Sequence, residues 1–281
     1  MAVEEYEAQV PLFRITPRTV GERVKLSRHP ERPLTSDYIS GLFPDFIELK
    51  GDRLYGNDES LLAGLATFQG IPVTVIGHEK GRGTRDKIAR NFGMSQPEGY
   101  RKALRLMRQA EKFGRPILTF IDTPGAYPGL EAEERGVAEA IARNLLEMAG
   151  LRTIILSVVI GEGGSGGALG IGVSDRLFML ENAYYSVISP EGCASILWKD
   201  ASKWEEAAQS LKITADELYR LGVIDEIFAE PGEGAHTAVR ETVAYVGRRL
   251  RYHLEGLLQQ PMDEIMKQRY ERLRRLGEYQ E

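Results

Sequence analysis

An α/β fold with a largely parallel sheet, preceded by a short-helical arm and closed by C-terminal helices, is predicted by three observations. Short apolar segments recur along the middle of the chain, each followed by a glycine-bearing loop. These segments are continuously apolar instead of alternating, as strands covered on both faces of a parallel sheet are. Helix-period segments lie between them, and the strand starts are spaced about 45 residues (Ile71 to Pro116) and then 37 (Pro116 to Thr153), a repeated β-loop-α unit. A length of 281 residues suits one large α/β domain with appendages. The boundaries expected are an arm over 1–50, a core over 51–234 and a helical region over 235–281.

The arm carries Pro11, Pro17, Pro30, Pro33 and Pro44 among charged residues, which suggests extended or short-helical chain outside the core. The first strand is Ile71 to Ile76, followed by GHEKGRG. A helix opens at Pro97-Glu98 and runs to Phe113, with Ala103, Leu104, Met107 and Ala110 at helical spacing and Gly114 as its stop. Pro116 to Ile121 is the second strand, followed by DTPGAYPG. Glu133 to Ala149 reads as a helix with Val137, Ile141, Leu145 and Met148 on one face. Thr153 to Ile160 is the third strand, leading into GEGGSGG and the helix-capable ALGIGVS. Leu177 to Leu180 and Tyr184 to Ile188 add two short strands. Ser189 is then the N-cap of a helix with Pro190 at its first position and Glu191 in its first turn. From Ala235 the chain turns helical and basic, with Arg248, Arg249 and Arg251 and the last segment MDEIMKQRYERLRRL; these charges form either a solvated face or a partner-binding arm.

Composition excludes several functions. Lys and Arg number 36 against 41 Asp and Glu, a net charge of −5, which is no footprint for bulk nucleic-acid binding. No run approaches the roughly 18 apolar residues of a membrane helix. The start carries Glu4, Glu5 and Glu7, unlike the basic opening of a signal peptide, so a cytoplasmic protein is expected. The single cysteine, Cys193, allows neither an internal disulfide nor a multi-thiolate metal site, and reads as a small buried residue.

Glycine makes up 30 of 281 residues, and seven of these fall within the twelve residues Gly161 to Gly172. Three chemistries fit that loop. Gly161, Gly163 and Gly166 match a dinucleotide fingerprint, with Glu181 near the distance expected for a ribose-binding acid. Gly163, Ser165 and Gly167 match a nucleophile elbow, which would need His236 or His253 from the tail as its base. In the third, backbone N–H groups at a helix start face a developing negative oxygen, an oxyanion hole. Packing against another backbone is the plainer use of glycine. Asp122-Thr123-Pro124-Gly125 resembles a GTPase metal motif, yet the chain has no phosphate-cradling G-x-x-x-x-G-K-[ST].

The strings GDRLYGND, GHEKGRGTRDKIARNFGM, PEGYRKALRLM, FIDTPGAYPG, EERG, EAIARNL, GEGGSGGALGIGV and SPEGCASILWK occur in this order. Together they closely resemble the α subunit of the carboxyltransferase of multi-subunit bacterial acetyl-CoA carboxylase, from about Arg28 to His236. The arm before Arg28 is shorter than in longer members, and Glu131 stands where a smaller residue is expected. The resemblance implies a crotonase/ClpP-like spiral of ββα units. It also implies transfer of a carboxyl group from carboxybiotin on a separate biotin carboxyl carrier protein to acetyl-CoA, forming malonyl-CoA, the first committed step of fatty acid biosynthesis. The active site is then shared with a β subunit, as an α2β2 heterotetramer, with biotin carboxylase in the larger ATP-dependent complex and zinc on the β chain. By the same resemblance Gly166 and Gly167 form the oxyanion hole for the ureido oxygen of biotin. Gly163, Gly164, Gly125, Ala126, Tyr127, Lys80 and Arg82 bind biotin or substrate. Lys80, Arg82 and Arg85 form a cationic loop that either attracts a carboxylate or phosphate or is a solvated turn. Tyr127 either contacts the biotin ring or packs in the core.

Overall fold

The computed structural model describes residues 14–277; the acidic start and Pro11 lie outside them. Among the described residues the arm forms two helices, α1 (Val20–Ser27) and α2 (Thr35–Leu42). The α1 helix opens on a capping box in which Thr19 Oγ1 accepts the Glu22 N–H and the Glu22 carboxylate accepts the Thr19 N–H. Contrary to the expectation of an arm outside the core, Val24, Tyr38 and Phe43 are buried in the main hydrophobic cluster. Arg32 is buried as well, paired with Glu230 at 2.6 Å.

One eight-stranded sheet forms the centre. Strands β1 (Ile47–Glu48), β2 (Leu61–Phe68) and β3 (Ile71–His78) are antiparallel, β2 and β3 being joined at Gln69-Gly70. After α3 (Gly83–Ala89) and α4 (Pro97–Lys112), β4 (Ile117–Thr123) pairs parallel to β3. Next come α5 (Leu130–Glu134), α6 (Val137–Gly150) and β5 (Ile155–Gly164), which pairs parallel to β4. The short α7 (Ser165–Leu169) follows, then β6 (Arg176–Leu180) and β7 (Tyr184–Ser186), both parallel to β5. Helices α8 (Pro190–Trp198), α9 (Trp204–Leu211) and α10 (Ala215–Arg220) lead to β8 (Glu226–Phe228), which pairs parallel to β6. Two long helices, α11 (Val239–Leu258) and α12 (Met262–Arg275), complete the described chain.

Every residue of β4 and β5 is buried, as continuous apolar patterning requires of strands covered on both faces. The expected cap is present: the Ser189 hydroxyl accepts the Gly192 N–H, with Pro190 in the first turn of α8. Two readings differ from the structure. The stretch Glu133 to Ala149 breaks at Gly136, whose φ is +80°, and in α6 the expected face is met by buried Met148 and half-buried Val137, Ile141 and Leu145, while Ala140 and Asn144 beside it are buried as well. Asn144 is held inside by donating to the carbonyls of Tyr100 and Gly170. The basic tail is also partly interior. Arg269 is fully buried, pairs with Asp175 at 2.8 Å and donates to the carbonyls of Met148, Leu151 and Thr153.

Candidate active site

The glycine tract lies at the C-terminal end of β5 and turns directly into α7. Its glycines do not serve positive φ; the one left-handed residue there is Ser165, at φ +51°. They serve close approach. An added Cβ at Gly164 would strike the Pro124 carbonyl, and one at Gly167 would lie 2.6 Å from the Ala126 nitrogen and closer still to the Gly125 carbonyl carbon. The β5–α7 turn and the turn after β4 are therefore pressed backbone to backbone. The second turn is pinned by Thr123, whose hydroxyl donates to the Gly125 carbonyl at 2.6 Å and accepts the Gly125 N–H at 3.1 Å.

Gly166 differs from its neighbours. It is half-buried, and an added Cβ there would meet only Ile141, at an ordinary 3.6 Å. Nothing within the chain requires glycine at this position. The N–H groups of Gly166 and Gly167 lie in the first helical turn, where no carbonyl of the same helix stands four residues back. Gly166 thus leaves a side-chain-free surface at the start of α7, with Gly167 buried beside it against the turn after β4.

Behind the tract is a buried ion cluster. Lys80, just past β3, bridges Asp122 at 2.7 Å and Glu162 at 2.6 Å. The Glu162 backbone N–H donates to Asp122 at 2.8 Å. The other Glu162 oxygen accepts from Arg28 at 2.7 Å and from the Tyr184 hydroxyl at 2.6 Å. Burial works against the Glu162 charge, but Lys80 and Arg28 outweigh it and hold this carboxyl down at about 2. Asp122, with fewer partners, is pushed upward by burial in spite of Lys80. The cluster lines a cavity of about 200 Å³ together with Phe92 and Pro124.

Of the expected site residues, Gly125, Ala126, Gly164 and Gly167 meet in one place, with Gly163 and Gly166 in the same tract. Tyr127 is half-buried, folded back over Gly129, and outside the hydrophobic cluster. Lys80 belongs to the ion cluster. Arg82 does not: it is exposed and pairs with Asp37 at 2.5 Å, and Arg85 is exposed on α3. Cys193 is buried in a small cluster with Ala194 and Ala207.

Sequence reading missed Glu162, hidden as one of the variable positions of the glycine pattern, and His78 at the end of β3. The His78 ring is fully buried, and neither ring nitrogen has a hydrogen-bond partner among the described residues. Burial, with the Lys80 charge adding to it, pushes its pKa down to about 3 against a weaker opposing pull from the Gly167 backbone. The imidazole is therefore neutral at physiological pH. No local pattern could have revealed it, since its neighbours come from distant segments.

The other chemistries considered for the loop lose their partners. Glu181 is occupied by the Thr16 and Glu230 N–H groups and by Arg18, so no free acid stands ready for a ribose. His253 is bound to Glu226 at 2.6 Å and rests on Phe178, while the His236 ring lies 4.0 Å from that of His29. Ser165 has no hydrogen-bonded histidine among the described residues. No group of three or more His, Cys, Asp or Glu converges there as a metal requires, and no described helix is long and apolar enough to cross a membrane.

The parallel-rich sheet, whose glycine turn packs on the turn of the adjacent strand, has a crotonase-like fold. Two solved structures share it: transcarboxylase 12S (TM-score 0.68, 16% identity, 90% of this chain and 48% of that one) and a Pseudomonas malonate decarboxylase hetero-tetramer in complex with coenzyme A (0.64, 20%, 87% and 98%). The chain thus spans about half the length of the 12S chain. Residues 15–277 match the family model described as acetyl co-enzyme A carboxylase carboxyltransferase-like, and the chain belongs to that family. Among its relatives are acetyl-coenzyme A carboxylase carboxyl transferase α subunits from Listeria welshimeri (56% identity, 93% of this chain, 82% of the relative) and Halalkalibacterium halodurans (58%, 92% and 79%).

Proposed function

We propose that this chain is the α component of an acetyl-CoA carboxylase carboxyltransferase, moving a carboxyl group from carboxybiotin to acetyl-CoA to form malonyl-CoA. The family match across the glycine tract carries this reading. Biotin, held on a separate carrier protein, supplies the carboxyl group. The residues present fit its ureido oxygen: Gly166 leaves room for it, and the Gly166 and Gly167 N–H groups are fixed donors. Donors that are already oriented stabilise a developing negative oxygen more than the ground state, which lowers the barrier to carboxyl release. Gly125 and Ala126 hold the Gly167 peptide in place, and Lys80 and Arg28 fix Glu162 within the loop. Tyr127 forms part of the wall.

A zinc-bearing β subunit supplies the acetyl-CoA side, and the assembly works in the cytoplasm as an α2β2 core with the biotin carrier and biotin carboxylase. Exposed Leu130, Leu169 and Val187 around the glycine turn support a partner on this face. The test is malonyl-CoA-dependent carboxylation of free biotin by the chain alone and with a β subunit. Activity is expected only for the pair, and Ser165→Ala should keep it within a few-fold. Full activity from the chain alone would refute the shared site, and its abolition by Ser165→Ala would favour a serine nucleophile.

A further inference from the structure

A second polar cavity system lies at the opposite end of the sheet. Arg176 begins β6 opposite Leu156 of β5, eight residues before Gly164. At about 3.3 Å per residue this places it roughly 26 Å along the strand from the glycine turn. Two cavities, about 620 and 420 Å³, meet at Arg176 and His253. The first is walled by Tyr252, Leu257 and Gln260 of the α11–α12 hairpin, the second by Gln268, Arg272 and Arg275 of α12.

The charges on these walls do not cancel. Each lining carboxylate already has a cation: Asp225 pairs with Arg272 at 3.3 Å, Glu255 with Arg251 at 2.6 Å and Glu271 with Lys267 at 4.0 Å. Arg176 is half-buried and, among the described residues, its guanidinium donates to the Asp175 carbonyl and the Gln268 amide oxygen and pairs with no carboxylate. Arg275 pairs with no carboxylate among the described residues. Two guanidinium groups thus have no carboxylate partner among the described residues, beside a cavity large enough for an organic molecule. A half-buried arginine without an anion retains unused donors in a fork that matches phosphate oxygens.

We infer that this groove binds a phosphate-bearing anion, with its phosphate between Arg176 and Arg275 and any organic part toward Tyr252 and Leu257. A phosphate group with about two negative charges matches the two cations that have no carboxylate partner among the described residues. The site is separate from the glycine turn, so occupancy can be read without catalysis.

Calorimetric titration of the full chain with inorganic pyrophosphate, ADP and succinate tests this at two salt concentrations. Pyrophosphate should bind, more weakly at higher salt, and Arg176→Gln and Arg275→Gln should each weaken it tenfold or more. Arg275 is exposed, so its variant separates lost binding from lost folding; a thermal melt monitors Arg176→Gln. Tighter binding of ADP than of pyrophosphate identifies an organic phosphate, and the reverse order identifies the inorganic ion. Absence of binding at millimolar ligand, affinity unchanged in both variants, or equal affinity for succinate overturns the proposal.

Discussion

A methyl group added at Gly166 and one added at Gly167 meet opposite surroundings, and the pair of substitutions separates chemistry from packing. At Gly167 the new Cβ would lie 2.6 Å from the Ala126 nitrogen and 2.9 Å from Gly125 Cα, with the Gly125 carbonyl carbon nearer still. Reaching even the 3.0 Å floor of real Cβ contacts from the Ala126 nitrogen requires a shift of about 0.4 Å, and these atoms are all backbone. Gly167→Ala should therefore cost about 1–3 kcal/mol of stability, as overpacking does. Because it displaces both turns of the site, activity should fall on the order of 100-fold. At Gly166 the Cβ would rest 3.6 Å from Ile141 and the backbone is already compatible with alanine, so Gly166→Ala should be neutral or gain about 0.4–1 kcal/mol. Its activity should nevertheless drop at least tenfold, because the methyl group occupies the surface where the ligand must approach. Urea denaturation and carboxyltransfer with the β partner measure the two effects. A Gly166→Ala protein as active as the parent would refute the close approach, and a Gly167→Ala protein of unchanged stability would refute the packing.

Three further outcomes follow from the buried charges. Lys80→Met leaves Asp122 and Glu162 without their shared cation and should cost about 3–5 kcal/mol in urea denaturation, with partial recovery on adding Asp122→Asn; a loss under about 1 kcal/mol would contradict the cluster. His78, ordinarily near 6.5 and here at about 3, binds its proton more readily unfolded, so its contribution is intact above pH 6.5 and is lost as pH falls toward 3. Between pH 7.5 and 5.0 it should remove about 2 kcal/mol of stability, and His78→Gln should flatten the profile by that amount; an unaltered slope means another group titrates. Arg269→Met should destabilise the fold by about 3–5 kcal/mol and Arg269→Lys should restore little, since one ammonium cannot reach Asp175 and three carbonyls at once; recovery in the lysine variant would show that charge alone matters there.

The sequence made the third strand, the glycine turn after it and the Ser189 cap legible because each is a local pattern: an apolar run, a glycine excess, a capping residue before proline. It concealed β2, whose LLAGLATF mixes leucine, alanine and glycine without strand alternation, and which holds its shape by pairing with β3 across a two-residue turn. The burial of Asn144 on α6 was concealed for a different reason. Periodicity marked the Val137, Ile141, Leu145 and Met148 face, but a polar residue beside it goes inside only because it finds two carbonyls from other elements, which satisfy the buried amide. At the proposed site, Gly166 and Gly167 stand out through composition and family likeness. Their support does not, because Lys80 and Glu162 are 82 residues apart and leave no periodic trace of their meeting.

The arm that reaches the glycine loop through Arg28 also closes on Glu230 through Arg32, across 198 residues of sequence. At a synthesis rate of about 5–20 residues per second, Arg32 is made roughly 10–40 s before its carboxylate partner exists. The helices of the arm, made before the sheet, are therefore among the last elements to reach their native partners. A nascent chain that stops before β8 can contain the whole glycine turn and still lack the ion pair that holds the arm in place, so the arm settles beside the glycine loop only after β8 and Glu230 have been made.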